Sequence, residues 1–273
     1  MIHILRMCIG KMTYFFEAIC FSNWFNPLLT LYLNFRSFPI NQARRLPVFV
    51  YGWPKLFSLH GSMECRGMCE RGMITLNKTN INMPNNPGPN TAIYNVGKII
   101  FYGKCCIYTA NKINVMGTLE LGDETFIMCM CNITAERHVK IGSHVLIAHR
   151  SQVFDTNFHY VADFNEHQVR RITRPVEIGS YCWICNSATI APGAQLPDRT
   201  IVASNSLVNK DMRNLPEESI IGGIPAKFIS KGFECVWSKK RLAEIETFFS
   251  ENPSKDVFLF SGDTSHSSFE KDE

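Results

Sequence analysis

Between residues 178 and 210 an aliphatic residue recurs at every sixth position: Ile178, Ile184, Ile190, Leu196, Val202 and Val208. Four positions after each of the first five stands a small residue: Cys182, Ala188, Ala194, Thr200 and Ser206. A period of six matches neither the helical repeat of about 3.6 nor the alternation of one strand. It matches short strands separated by tight turns and repeated around an axis, a β-solenoid in which the aliphatic side chain fills the interior. The same spacing runs through Leu121, Ile127 and Ile133, slips by two at Val139-Lys140, and resumes at Ile141, Ile147 and Val153. It is then lost until Ile178.

Three further stretches carry a family resemblance: Asp155-Thr156-Asn157-Phe158-His159, Val176-Glu177-Ile178-Gly179 followed by Trp183-Ile184, and Gly222-Gly223-Ile224-Pro225-Ala226-Lys227. With the hexads, they resemble the hexapeptide-repeat acyltransferases, and among these the sugar O-acetyltransferases of polysaccharide assembly. The resemblance is close over residues 121–229 and loose elsewhere. It implies an all-β, left-handed parallel β-helix. Left-handed crossovers are rare between parallel strands, so the hand follows from the resemblance and not from the period.

Composition narrows the partners. The 273 residues hold 28 Lys and Arg against 24 Asp and Glu, a formal net charge of +4, with 45% hydrophobic residues. That balance, without a basic cluster interleaved with aromatics, gives no nucleic-acid surface. The opening Met1-Ile2-His3-Ile4-Leu5-Arg6 leads into no apolar core with a small-residue cleavage site, so the eleven cysteines are expected to be reduced packing thiols of a cytoplasmic protein. The pair Cys182 and Cys185 has the look of a redox or zinc half-site, but its members fall on different slots of the repeat.

Three segments are expected: residues 1–70 as an N-terminal aromatic cap, 71–232 as the β-helix, and 233–273 as a C-terminal helix and frayed tail. From Glu17 to Arg36 the chain carries no charge inside its ends, but Ser22, Asn23, Asn26, Pro27, Thr30 and Asn34 interrupt any membrane span. The stretch reads as helical up to Asn26 and as covering the solenoid's open end, with peripheral membrane contact left open. Residues 47–71 begin the strands. Imperfect coils are expected over residues 74–115, around a loop with Pro84, Pro87, Gly88 and Pro89. An amphipathic helix is expected over residues 233–249, with Phe233, Val236, Trp237, Leu242, Ile245, Phe248 and Phe249 as its apolar positions.

A solenoid wall leaves little room for catalysis, so chemistry belongs where the repeat breaks. His159 stands just past such a break, and a histidine titrating near neutrality suits proton abstraction from a hydroxyl. The resemblance makes His159 the general base of transfer from acetyl-CoA, with no covalent enzyme intermediate and no metal. It also implies a homotrimer with sites between adjacent solenoids and a sugar or polysaccharide-precursor acceptor. Trp183 would lie beside the pantetheine arm, and Ala203, Lys210, Gly222, Pro225 and Lys227 near the rest of the coenzyme. Asn132 is the nearest candidate for the family's acceptor-holding asparagine, whose position by spacing is Met128. Asp155 could orient the imidazole, Asn157 could contact the acceptor, and Arg170, Arg171 and Arg174 could bind an anionic part of it, with Arg171 first.

Other classes remain in view. An amine of a nucleotide sugar could replace the hydroxyl. His144 and His149 carry the spacing of γ-type carbonic anhydrases, yet no histidine between His60 and His138 supplies a third zinc ligand. A non-catalytic solenoid scaffold gives no reason for a histidine at the break.

Overall fold

The structure, a computed structural model, describes residues 24–79, 90–260 and 269. The proline-rich loop, the part of the uncharged stretch before Trp24 and most of the tail beyond Phe260 lie outside the described residues.

The chain winds through three sheets in turn, one strand per sheet per coil. The first coil is β1 (Val48–Val50), β2 (Lys55–Phe57) and β3 (Ser62–Cys65). The second is β4 (Ile74–Lys78), β5 (Ala92–Asn95) and β6 (Lys98–Phe101), and the third β7 (Cys105–Tyr108), β8 (Lys112–Val115) and β9 (Thr118–Leu121). The fourth is β10 (Thr125–Ile127), β11 (Asn132–Ala135) and β12 (His138–Ile141). In the fifth, β13 (Leu146–Ile147) and β14 (Gln152–Phe154) are separated from the closing strand β17 (Val176–Ile178) by an arm holding β15 (Ala162–Asp163) and β16 (Gln168–Val169). The sixth is β18 (Trp183–Ile184), β19 (Thr189–Ile190) and β20 (Gln195–Leu196), and β21 (Ile201–Val202) and β22 (Leu207–Val208) begin a seventh. The first wall ends with β23 (Ser219–Gly223) and an antiparallel return, β24 (Ala226–Lys231). The result is a left-handed parallel β-helix.

Register explains the two-residue slip. Ile93, Ile113 and Ile133 stack in successive coils of the second wall, and Phe101, Leu121 and Ile141 do so in the third. From second to third wall the aliphatic positions are eight apart instead of six, as in Ile113 to Leu121 and Ile133 to Ile141. The slip at Val139-Lys140 therefore belongs to a regular coil of twenty residues. The coils over residues 74–115 are imperfect, as expected: β4 shifts register against β7 between Leu76 and Lys78, and the regular repeat begins only with the third coil. After Ile178 that corner tightens, Ile178 pairs with Leu196, and the coil shortens to eighteen. Gly117 stands at the wider corner because a Cβ there would lie 2.3 Å from the carbonyl oxygen of Arg137 in the next coil.

Of the stretch expected as the cap, residues 24–70 are described, and the first coil starts at Val48, where strands were expected to begin. The helix α1 (Pro27–Ser37) begins where a helix was expected to end, because Asn26 is its N-cap and accepts the Leu29 N–H, with Pro27 in the first turn. A short helix α2 (Ile40–Ala43) follows.

The polar residues that argued against a membrane span close the open end of the sheets. Strand β1 has no earlier coil to bond to, and α1 supplies the missing partners. Asn34 accepts the Val48 N–H and donates to the Val48 carbonyl, and Thr30 Oγ1 accepts the Val50 N–H. Gln42 does the same for Cys65 of β3, accepting its N–H and donating to its carbonyl at 2.8 Å each. Side-chain amides thus stand in for a strand. Leu33 inserts beside them into the aliphatic interior.

At the other end, α3 (Lys239–Glu251) starts six residues later than the apolar spacing predicts, because Ser238 is its N-cap and accepts the Arg241 N–H. Phe233, Val236 and Trp237 precede the helix, and none of the helix's residues is buried.

Because Asn34 is fully buried with both amide atoms engaged, Asn34→Ala strands the Val48 N–H and C=O at a dry edge. We expect a lower thermal midpoint, equivalent to about 1–3 kcal/mol, with little change from Asn41→Ala on the exposed side of α2. Equal midpoints for the two variants would show that the edge needs no side-chain partner.

Candidate active site

The break in the hexads is an arm at the corner between the second and third walls. Thr156 bridges Thr173, the Asn157 N–H donates to the Ile172 carbonyl, and β15 pairs with β16 further out. His159 sits in the first turn of the outgoing limb, its N–H donating to the Asn157 carbonyl at 2.7 Å. Phe158, just before it, takes φ 62° and packs its ring 6.0 Å from Phe154 at the end of β14. The His159 side chain is exposed and forms no hydrogen bond with any described residue. An imidazole presented this way is open to solvent.

Asp155 does something other than orient that imidazole. It is fully buried, and its two carboxylate oxygens accept the N–H groups of Glu136, Arg137 and His138 at 2.8, 2.7 and 2.6 Å. Three converging charge-assisted bonds hold the corner of the coil below and fix where the arm departs. Asn157 is exposed on the arm beside His159, as an acceptor contact requires.

The basic cluster divides. Arg170 and Arg171 are exposed on the returning limb, across the arm from the His159 turn. Arg174 instead lies along the next coil, where a Cβ on Gly193 would come within 3.3 Å of its guanidinium carbon. Its carbonyl also accepts the Gly193 N–H. Lys210 follows β22 at the same corner two coils on from the arm, and it is exposed.

The other predicted residues stand elsewhere on the prism. Trp183 is in the first wall, paired with Leu146 and Ile201, and its indole N–H is buried without an acceptor. Ala203 begins the next corner, between first and second walls, its N–H donating to the Ile221 carbonyl. Gly222 packs against it so closely that a Cβ would meet the Ala203 Cβ at 3.0 Å and Ile229 Cδ1 at 2.9 Å. Gly223, with φ 102°, and the cis Ile224-Pro225 bond turn the chain into β24, which leaves Lys227 exposed opposite Gly222. Asn132 opens β11 near this same corner; its side-chain oxygen is buried without a donor. The resemblance grouped these residues with His159 across adjacent solenoids; within one chain they lie on a different part of the prism from the arm.

The zinc reading meets a concrete obstacle. His144 stacks on Tyr181, with ring centres 4.6 Å apart and planes 4° from parallel, and its Nδ1 lies 3.5 Å from Glu124. The Arg199 guanidinium lies over the Tyr181 ring at 5.4 Å. This column at the corner between third and first walls was not foreseen; its sequence signal is the coil spacing from Glu124 to His144. His149 lies on a different corner, with Nε2 buried and unpartnered and its pKa lowered by burial and then by Arg150. Among the described residues no group of three or more His, Cys, Asp and Glu side chains could hold a metal.

The cysteine pair is likewise structural. Cys182 points inward, and burial pushes its thiol up to about 12, so it stays protonated. Cys185 is also buried and shifted upward by burial.

Asp155→Ala should free three backbone N–H groups at a buried corner and loosen the base of the arm. We expect a stability loss of about 3–5 kcal/mol and faster proteolysis within residues 156–173. Unchanged cleavage of the arm would mean that other contacts set its position.

No protein-family profile matches the chain. It is 28% identical over 123 residues to a protein named as a colanic acid biosynthesis acetyltransferase, WcaF of Escherichia coli K12, a match covering 45% of this chain and 64% of that one. It is 27% identical over 123 residues to one named as a lipopolysaccharide biosynthesis O-acetyl transferase, WbbJ of the same organism, covering 42% and 61%. The chain thus spans a little under two thirds of the length of these relatives. Among solved structures, the polySia-specific acetyltransferase NeuO aligns over 78% of this chain and 82% of its own, at 16% identity and a TM-score of 0.49. In architecture the chain is a left-handed parallel β-helix, and in sequence it is similar to proteins named as acetyltransferases of colanic acid and lipopolysaccharide biosynthesis.

Proposed function

We propose that the protein transfers an acetyl group from acetyl-CoA to a hydroxyl of a sugar in a polysaccharide or glycolipid precursor. The observation that carries this reading is the exposed His159, held by a built arm at the break in the hexads between Val153 and Ile178. Its support from outside is the likeness to WcaF and WbbJ, both named for acetyl transfer in polysaccharide assembly. The free thiols of the described cysteines suit a reducing compartment, and the reading places the reaction in the cytoplasm.

The donor side has features that fit a coenzyme. Gly222 and Gly223 keep the backbone bare at the first corner, and Lys227 and Lys210 are exposed cations able to meet phosphates. The thioester, when bound, supplies an activated acyl carbon. His159 accepts the proton of the acceptor hydroxyl as its oxygen forms the ester bond, and returns that proton to the departing sulfur. Backbone N–H groups at a coil edge are the expected donors to the oxyanion. Arg171, beside the base, is assigned to an anionic part of the acceptor, and Asn157 to a neutral one. Arg174, laid along Gly193, is left out of that role.

The reading includes a shared site. His159, Asn157 and Arg171 extend from one corner of the triangular prism, while Trp183, Ala203, Gly222 and Lys227 belong to the first wall and the corner that follows it. A trimer with adjacent copies side by side brings the arm of one chain against the first wall of the next. The uncovered apolar residues of the arm, Tyr160, Val161 and Phe164 at 70, 76 and 86% exposure, suit burial in such an interface.

His159→Ala should lower acetyl transfer by roughly 10²–10⁴-fold while coenzyme affinity and thermal midpoint stay near the wild type. Steady-state rates with a galactoside or oligosaccharide acceptor, alongside calorimetric titration with CoA, check this. A loss under about tenfold would place the base elsewhere.

A further inference from the structure

The cap helix is amphipathic the wrong way round for a surface helix. Thr30, Asn34 and Ser37 are buried against the first coil along with Leu33. The opposite stripe, Leu28, Leu31, Tyr32 and Phe35, repeats the same helical spacing and is 70, 47, 53 and 48% exposed. Ile40 of α2 continues it at 59%. An ordinary surface helix turns such a stripe to the core. Here the core side is committed to hydrogen-bonding the edge of β1, and the apolar stripe faces outward.

Charge around the stripe selects what it meets. Residues 24–63 contain no Asp or Glu, but they contain Arg36, Arg44, Arg45 and Lys55, all exposed. The first acid after them, Glu64, is already paired with Arg66 and Lys98. A second copy docking through the same face would bring the like charges of Arg36 and Arg44 on two copies together, with no Asp or Glu within α1 or α2 to meet them. A bilayer with anionic headgroups instead takes the apolar side chains into its acyl boundary and leaves the guanidinium groups among the phosphates. No described helix is long and apolar enough to cross a membrane, so the contact would lie in the interface plane.

We propose that the outer face of α1 and α2 is a docking surface for anionic membranes. It holds the solenoid by its N-terminal end, where an acetyltransferase acting on a lipid-anchored sugar would gain from residence at the bilayer. The docking rests on the inverted helix and its charge, and holds or fails independently of the acetyl-transfer reading.

The test is co-sedimentation of the full chain with phosphatidylcholine vesicles and with phosphatidylcholine–phosphatidylglycerol vesicles. Binding to the anionic vesicles that weakens with added salt is expected, with little binding to the neutral ones. Leu31→Asp, on an exposed position, should cut the bound fraction at limiting lipid by about tenfold or more, with an unchanged melting profile. Arg44→Glu should cut it by about fivefold or more, on anionic vesicles only, and decides the matter should Leu31→Asp not fold. Wild-type protein that ignores anionic vesicles, or variants that bind them as well as it does, overturns the proposal. So does a lipid-free change in mass by light scattering in Leu31→Asp without vesicle binding, which would assign the face to a second copy.

Discussion

The structure depends on a backbone ladder between parallel strands that keeps each coil in register with the next. Once Ile113 must sit under Ile133, and Ile127 under Ile147, the interior becomes a column of like side chains, each burial contributing roughly 1.5–3 kcal/mol. Inward positions beside the aliphatic ones then admit only small groups, which is why Cys182, Ala188 and Ala194 occupy them. The same ladder gives the corners no freedom to drift, so a residue at one corner stays above its counterpart a coil away. Glu124, His144, Tyr181 and Arg199 form their column for that reason alone.

A ladder of this kind has two ends and tolerates interruption only at corners. The N-terminal end is closed by side-chain amides that imitate a strand, which turns α1 inside out and leaves its apolar stripe to the surroundings. The interruption is the arm, and the ladder passes it without loss, since β12 and β17 still pair across the inserted residues. Asp155 makes that possible by collecting three N–H groups of the corner below. Position and chemistry are separated here: a buried carboxylate fixes the arm, and an exposed imidazole on it is free to react.

The sequence made the solenoid legible because the period of the aliphatic residues is the geometry itself. The twenty-residue coils before residue 142 were harder to see, since the wider corner adds two residues that a search for sixes reads as an error. Two sets of polar residues had roles the sequence did not reveal. Asn26, Thr30 and Asn34 interrupt the apolar run as read, and beyond that each bonds to the first coil or caps the helix, whereas Asp155 read as a partner for His159 because both lie in one short segment. Neither role can be seen without the strand register that brings residue 48 to residue 34, or residue 155 to residues 136–138. The late start of α3 had a visible signal in Ser238, which apolar spacing alone passes over. His159 stood out because it follows the break in the period; the wall position of Trp183 followed from its hexad slot, but its separation from the arm needed the corners to be placed.

That separation is the center of the functional account, which proposes a site shared between copies because His159 extends from one corner of the prism while Trp183, Ala203, Gly222 and Lys227 belong to the first wall and the corner that follows it. Subunit mixing tests it most directly. His159→Ala and Lys227→Glu chains, each inactive as a homo-oligomer, are co-refolded so that mixed assemblies form. If the site is shared, assemblies holding both chains contain at least one interface with an intact His159 facing an intact Lys227, and acetyl transfer returns to a substantial fraction of wild type. Activity that stays at the level of the two separate variants, in assemblies shown by mass to be mixed, would place the whole site within one chain and contradict the account.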